Sequence, residues 1–192
     1  MSRYPALAAG LAAAALVPAA SAAPQRSIPL KVGDAIDVVG TRIACFALRS
    51  NGKNGMACVL LEGSDPIVGS YGAGLAVDGT AVLNKIKADG TSADVFRRKL
   101  QAARTVYKVK TGDLFGLKIT NTVSLRCRVI DVTATNLEAV YRGVKVSCWR
   151  AAATRPLPNT YGISISDRFA GVFRFDAKGN VTSWGVMRRQ PQ

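Results

Sequence analysis

The sequence contains no histidine among its 192 residues. This absence excludes the Ser-His-Asp and Cys-His nucleophile systems, because both need an imidazole that accepts a proton near neutral pH. It also excludes every zinc site that depends on histidine ligands. Any active site would have to be built from carboxylates, lysine, serine, tyrosine or a metal held without imidazole.

Acidic residues are scarce as well, with 12 Asp and Glu against 26 Lys and Arg, which gives a formal charge of +14. The only glutamates, Glu62 and Glu138, lie in predicted loops at positions that do not correspond, so no carboxylate pair for glycoside hydrolysis is evident. Most aspartates lie in predicted turns, and no calcium-binding loop, P-loop or dinucleotide fingerprint occurs. We therefore expect no enzyme, no cofactor and no metal, and a carboxylate- or metal-dependent enzyme is the third alternative for function.

No segment of the chain reaches the roughly 20 consecutive apolar residues of a membrane-spanning helix. Residues 1–22 instead follow the pattern of a cleavable secretory signal peptide, with Arg3, an apolar stretch, and the small residues Ala20 and Ala22 at the cleavage site. The alternative is an N-terminal membrane anchor that stays attached. We expect cleavage after Ala22 and a mature protein that is secreted, extracellular or associated with the cell envelope, without a transmembrane span.

Cysteine occurs four times, at Cys45, Cys58, Cys127 and Cys148. An even number in an exported chain predicts two disulfide bonds, since they persist in oxidising compartments. A four-thiolate zinc site is the alternative, but no two of these cysteines have the C-x-x-C spacing. The count by itself leaves three pairings open.

Two segments of the chain repeat the same motifs in the same order. Cys58 precedes Tyr71 by 13 residues, and Cys148 precedes Tyr161 by the same interval. A Lys-x-Gly-Asp motif precedes each pair of cysteines, and an Arg-Arg pair ends each segment. This self-similarity predicts a tandem duplication with units at residues 27–100 and 105–190, which pack as one domain or as two. If each unit holds its own pair, the disulfides are Cys45–Cys58 and Cys127–Cys148.

The alignment of the two units matches Val82 and Leu83 with Val172 and Phe173, and places a one-residue slip after them. Hydrophobic residues within each unit alternate with polar or cationic ones, which is typical of half-buried strands, and Asn-Gly and Asp-Gly pairs mark the turns between them. The predicted fold is all-β, with about five or six short antiparallel strands in each unit. Residues 91–104 and 136–141 also carry weak helical signals, but neither changes the fold class.

Basic residues cluster along both units and alternate with apolar residues on several predicted strands. Cationic strand faces attract polyanions through ionic contacts and counterion release. The expected partner is an anionic polymer of the cell wall, a lipid headgroup, a nucleic acid or an acidic protein; alternatively, the charge serves solubility alone. The candidate anion-binding residues are Arg97, Arg98, Lys99, Lys108, Lys110, Arg126, Arg128, Lys145, Arg188 and Arg189.

Four aromatic residues are candidate contacts for a ligand, namely Trp149, Trp184, Tyr71 and Tyr161. The two tryptophans have no tryptophan equivalents in the first unit, which favours a role in binding over a shared role in packing. The repeated Tyr-Gly pairs are better explained as packing residues beside a turn, because such a pair recurs in both units. The leading functional hypothesis is a secreted, non-catalytic, basic β protein that binds an anionic surface or partner.

The order and spacing of the cysteines, a short interval in the first unit and a longer one in the second, resemble the layout of exported bacterial β-lactamase-inhibitor proteins. The resemblance implies an alternative function as a secreted proteinaceous inhibitor or partner-binding module. It covers layout only, since each unit of that family begins with a helix-turn-helix carrying a Gly-Met-Thr element. Here Gly33-Asp34 and Gly112-Asp113 lead into strand-like sequence.

Overall fold

The fold of the chain is all-β in a computed structural model that describes residues 26–63, 65–87, 102–132 and 143–188. These residues contain 15 strands and no helix. The strands are β1 (Ser27–Leu30), β2 (Ala35–Val38), β3 (Ile43–Ser50), β4 (Lys53–Glu62), β5 (Asp65–Pro66), β6 (Tyr71–Ala76), β7 (Ala81–Lys85), β8 (Val106–Val109), β9 (Leu114–Lys118), β10 (Val123–Val132), β11 (Gly143–Ala152), β12 (Arg155–Pro156), β13 (Tyr161–Ser166), β14 (Phe169–Phe175) and β15 (Val181–Arg188).

The strands form two sheets. Sheet I has the order β7-β6-β4-β3-β2-β8, with β5 paired to β4, and sheet II has the order β1-β9-β10-β11-β13-β14-β15, with β12 paired to β11. The first half of the chain contributes seven strands and the second half eight. The prediction of about five or six strands per half was therefore too low, because two-residue strands such as β5 and β12 carry no alternation that a sequence pattern can show.

Both disulfides join directly opposed residues of a hairpin, as predicted. Cys45 of β3 faces Cys58 of β4, and Cys127 of β10 faces Cys148 of β11, with Cα atoms 4.0 Å apart in each pair. No free cysteine is left. The next pairing also matches between the halves, since Cys58 faces Ala73 and Cys148 faces Ile163.

The first strand of each half pairs in the sheet of the other half. β1 runs parallel to β9, with Ser27 opposite Leu114, and β8 runs parallel to β2, with Val106 opposite Ala35. The prediction of purely antiparallel units was wrong on this point. Alternation along a strand indicates which face is buried, but it does not encode the neighbour or direction of that strand.

A turn with a buried aspartate separates the exchanged strand from the rest of each half. In both Lys-x-Gly-Asp motifs the glycine has a positive φ, 100° at Gly33 and 94° at Gly112. The aspartate that follows is buried, and its carboxylate accepts the amide N–H of the lysine, at 2.7 Å for Asp34 and 3.0 Å for Asp113. Because the short carboxylate completes the turn, the chain passes from one sheet to the other between these strands.

The inner faces of both sheets contribute to one hydrophobic core. It contains both disulfides together with apolar residues such as Ile36 and Leu75 of sheet I and Phe115 and Ile163 of sheet II. Sheet I is apolar on its outer face too, where a second cluster includes Phe46, Val59 and Ile86. The central strands of sheet I are thus buried on both faces.

The register corrects the alignment of the two halves at one place. Leu83 faces Ala73 in sheet I, and Val172 faces Ile163 in sheet II, so Leu83 corresponds to Val172 and not to Phe173. The one-residue slip lies before β7 and β14, because the turn that precedes β14 is shorter than the one that precedes β7.

The weak helical signals lie outside the described residues, apart from residues 102–104, which are not helical. In the described parts of the chain, no helix is long and apolar enough to cross a membrane. The Gly-Asp motifs lead into strands β2 and β9, so the opening helices of β-lactamase-inhibitor units have no counterpart there.

Candidate functional site

The outer face of sheet II differs from that of sheet I at equivalent positions. Next to its disulfide, the outer face of sheet I carries Ala44, Phe46, Ala57 and Val59, and all four are buried. The residues at the same register positions of sheet II are Arg126, Arg128, Ser147 and Trp149. The second half therefore replaces an apolar face by a polar one while it keeps the same backbone pairing.

Two arginines lie side by side on this face. Arg126 and Arg128 are separated by one residue on β10, so their side chains leave the same face about 7 Å apart along the strand. Arg128 is exposed and Arg126 is half-buried. Within the described chain neither arginine has an acidic partner, since the ion pair found there joins Lys53 and Asp78. Among the described residues, no carboxylate thus neutralises either guanidinium group.

Trp149 lies directly beside the arginine pair. It faces Arg126 on one side and Gly162 on the other, and its ring is half-buried. Gly162 leaves space that the ring of Phe173 fills, because a Cβ atom at Gly162 would lie 2.4 Å from that ring. The Nε1 atom of Trp149 is buried, and in the described parts of the chain it has no hydrogen-bond partner. The sheet thus presents an indole next to two cations.

The rest of this face on β11 and β13 is buried. Ser147 and Ser164 are 7% and 0% exposed, and their hydroxyl oxygens lie 3.1 Å apart. Lys145 faces Ser166 and is only 8% exposed. The prediction of an exposed cationic strand face is therefore wrong at Lys145, since alternation identifies a face of a strand but not what packs over it.

Two other predicted basic residues lie away from this pair. Lys108 lies in sheet I, where it faces Asp37, and Lys110 occupies the turn that follows β8. Arg188 ends β15 opposite Phe169. The remaining candidates, Arg97, Arg98, Lys99 and Arg189, lie outside the described residues.

The predicted aromatic contacts differ in how exposed they are. Tyr71 is half-buried and packs against the main core, which agrees with the packing interpretation of the Tyr-Gly pairs. Tyr161, its counterpart, is 44% exposed, so that interpretation fails for the second half. Trp184 faces Phe173 in β15, and its side chain lies outside the described residues.

The contrast between the outer faces could have been found by aligning the halves on their cysteines. Ala44 and Phe46 flank Cys45, and Arg126 and Arg128 flank Cys127. Two buried positions of the first half thus correspond to two arginines in the second. The sequence alone does not show that the outer face of the first sheet is covered by apolar residues.

Acidic side chains form no comparable group. Within the described residues, no three of Asp, Glu and Cys lie close enough together to hold a metal ion. Comparison of the chain with models of known protein families, with curated proteins and with solved structures gives no match.

Proposed function

We propose that this is an exported, non-catalytic binding protein that holds an anionic polymer or an acidic partner at the arginine pair of β10, on the outer face of sheet II. Residues 1–22, as a signal peptide, would direct the protein to an oxidising compartment and would then be removed. Two disulfides without a free thiol are compatible with that location. The proposed contact residues are Arg126 and Arg128, with Trp149 beside them.

A tandem duplication explains how such a face arises. The matching registers around both disulfides and the reciprocal pairing of β1 and β8 support an origin from one ancestral half. After duplication, one copy can keep the apolar outer face while the other acquires charge. Under this proposal, the residues that differ at equivalent positions are the ones that carry the function.

The observation that carries the proposal is the replacement of Ala44 and Phe46 by Arg126 and Arg128. Buried alanine and phenylalanine stabilise a fold, whereas two adjacent arginines add repulsion to a chain that is already strongly cationic when, as among the described residues, no acidic group pairs with them. Such a pair offers five N–H donors from each guanidinium, in a geometry suited to carboxylate or phosphate. Binding to a polyanion would release counterions and therefore weaken as salt is added.

Chromatography on immobilised heparin tests the proposal with the double variant Arg126→Ser and Arg128→Ser. We expect it to elute at clearly lower salt than the unchanged protein, with the slope of log affinity against log salt reduced by about two, because each lost ionic contact contributes about one. The matched control is Lys85→Ser with Lys178→Ser, which removes the same charge from two exposed positions elsewhere.

The control variant should elute close to the unchanged protein, since its lysines lie outside the proposed face. An equal loss of heparin retention in the two double variants would contradict binding at a specific face. Retention would then depend on the net charge alone. Retention that does not change between about 50 and 200 mM salt would contradict polyanion binding altogether. Thermal melting of each variant checks that the fold is kept.

A further inference from the structure

A polar cleft of about 580 Å³ lies where the two halves of the chain meet, away from the outer face of sheet II. One wall is the turn between β6 and β7, and the other is formed by β11, the start of β13 and β14. The residues that line the cleft include Asp78, Gly79, Thr80, Arg150, Asn159 and Tyr161.

The equivalent place in the other half is closed. There Leu60, Ser70 and Tyr71 meet Ser166, Arg168 and Phe169, and no volume is left that a water molecule could occupy. Leu60 and Arg150 hold the same position, because Leu60 faces Ile43 and Arg150 faces Leu125 in matching hairpins.

The register of the next strands extends this correspondence. Since Leu83 corresponds to Val172, Thr80 corresponds to Phe169. The closed place therefore holds two apolar side chains, Leu60 and Phe169. At the equivalent positions, the open cleft has Arg150 and Thr80. The open cleft and its closed counterpart thus differ in polarity at these two positions and in the length of the turn that forms one wall.

Arg150 has no acidic ion-pair partner among the described residues. Its side chain crosses Gly79, where a Cβ atom would lie 3.3 Å from one terminal guanidinium nitrogen. Its Nε atom is buried, and no described residue forms a hydrogen bond with it. The nearby carboxylate of Asp78 is engaged by Lys53 at 2.6 Å and by the amide of Thr80 at 3.1 Å. Lys53 thus balances Asp78, and the described residues that line the cleft offer Arg150 no other carboxylate.

The other lining groups suit a hydroxylated ring. Tyr161 presents an exposed aromatic face, on which the C–H groups of a pyranose can stack. The carboxylate of Asp78 and the side chains of Thr80 and Asn159 can exchange hydrogen bonds with ring hydroxyls. An arginine that needs an anion, together with an aromatic face and several small polar groups, fits a sugar that carries a carboxylate.

We propose that this cleft binds a single acidic sugar unit, with its carboxylate on Arg150 and its ring against Tyr161. The site is separate from the outer face of sheet II and does not depend on polymer binding there. Leu60 occupies the position equivalent to Arg150 in the closed place of the other half. The variant Arg150→Leu therefore copies a side chain that the fold already accommodates.

Isothermal titration calorimetry with glucuronate tests the proposal. We expect saturable 1:1 binding of glucuronate, at least ten-fold weaker binding of glucose, which lacks the carboxylate, and at least ten-fold weaker binding of glucuronate to Arg150→Leu. The variant Tyr161→Ala should also bind more weakly. The double variant Arg126→Ser and Arg128→Ser should bind glucuronate as the unchanged protein does, which separates this site from the proposed polymer-binding face.

Several results would overturn the proposal. These are no saturable binding of glucuronate up to millimolar concentration, equal binding of glucose and glucuronate, or unchanged binding by Arg150→Leu. Inorganic phosphate that binds at Arg150 more tightly than glucuronate would also overturn it, since the ligand would then be a phosphate and not an acidic sugar. Melting temperatures close to that of the unchanged protein confirm that each variant is folded.

Discussion

A methyl group added at Gly162 is expected to destabilise the fold, because this glycine lies where two neighbouring groups approach closely. A Cβ atom there would lie 2.4 Å from the ring of Phe173 and 2.8 Å from the carbonyl oxygen of Cys148. Phe173 is only 5% exposed, so its ring has little space into which to move. The carbonyl belongs to the central strand β11, which the disulfide holds to β10.

The expected cost of Gly162→Ala is about 2 to 3 kcal/mol in the free energy of unfolding, the upper part of the range for overpacked cores. The matched control is Gly185→Ala on β15, where the nearest atom to an added Cβ is the carbonyl oxygen of Val172 at 3.9 Å. That substitution should be neutral or should stabilise the protein by up to about 1 kcal/mol, since alanine loses less backbone entropy than glycine.

Equilibrium unfolding in urea measures both values, with disulfides intact and with fluorescence of the tryptophans as the signal. The same pair of measurements in a Phe173→Leu background separates the two clashes. If the ring is the main obstacle, Gly162→Ala should cost less in that background, and the remaining cost reports the carbonyl of Cys148. Equal stability of Gly162→Ala and Gly185→Ala would refute the reasoning.

Two further predictions concern the Asp78 carboxylate and the exchanged strand β1. The hydrogen bond from Lys53 and, to a smaller extent, that from the Thr80 amide lower the pKa of Asp78 from its ordinary value of 3.8 to about 2. The variant Lys53→Met should therefore raise this pKa toward 3.8 in an NMR titration. The control variant Lys85→Met should leave the pKa of Asp78 unchanged. Since the folded-state pKa is lowered, the small stabilisation from this exposed carboxylate is present above pH 3.8 and is lost as pH falls through about 2. Ile28 is 4% exposed, and Ile28→Ala should cost about 2 to 4 kcal/mol of unfolding free energy. Amide hydrogen exchange should then speed up at Leu114, which donates to the carbonyl of Arg26 at 2.8 Å; faster exchange confined to β2 and β3 would contradict the pairing of β1 in sheet II.

Much of the local structure could be predicted from the sequence. The residues around Cys127 and Cys148 alternate in polarity and predict strands, and the Lys-x-Gly-Asp motifs predict turns that the structure contains. The disulfide pairing followed from the repeated motifs, because two similar units would each hold their own pair. These features depend on residues that are close in sequence or on their repetition.

The partners of the edge strands could not be predicted in this way. β1 and β8 are four residues long, and nothing in their alternation distinguishes a parallel neighbour in the other half from an antiparallel one nearby. The clustering of charge was equally hidden. Arg126 and Arg128 lie on one face of β10, whereas Lys108 lies in the other sheet and Lys145 is buried.

The sequence by itself determined the all-β class, the pairing of the cysteines and the absence of imidazole chemistry, since these depend on composition, on alternation and on repeated spacing. Only the tertiary structure decided which residues of the two halves meet at the cleft and at its closed counterpart. Leu60 and Phe169 line the closed place, and Arg150 and Thr80 line the open cleft. The physical reason is that each cleft is formed by side chains from both halves, so its shape depends on how strands distant in sequence pack together.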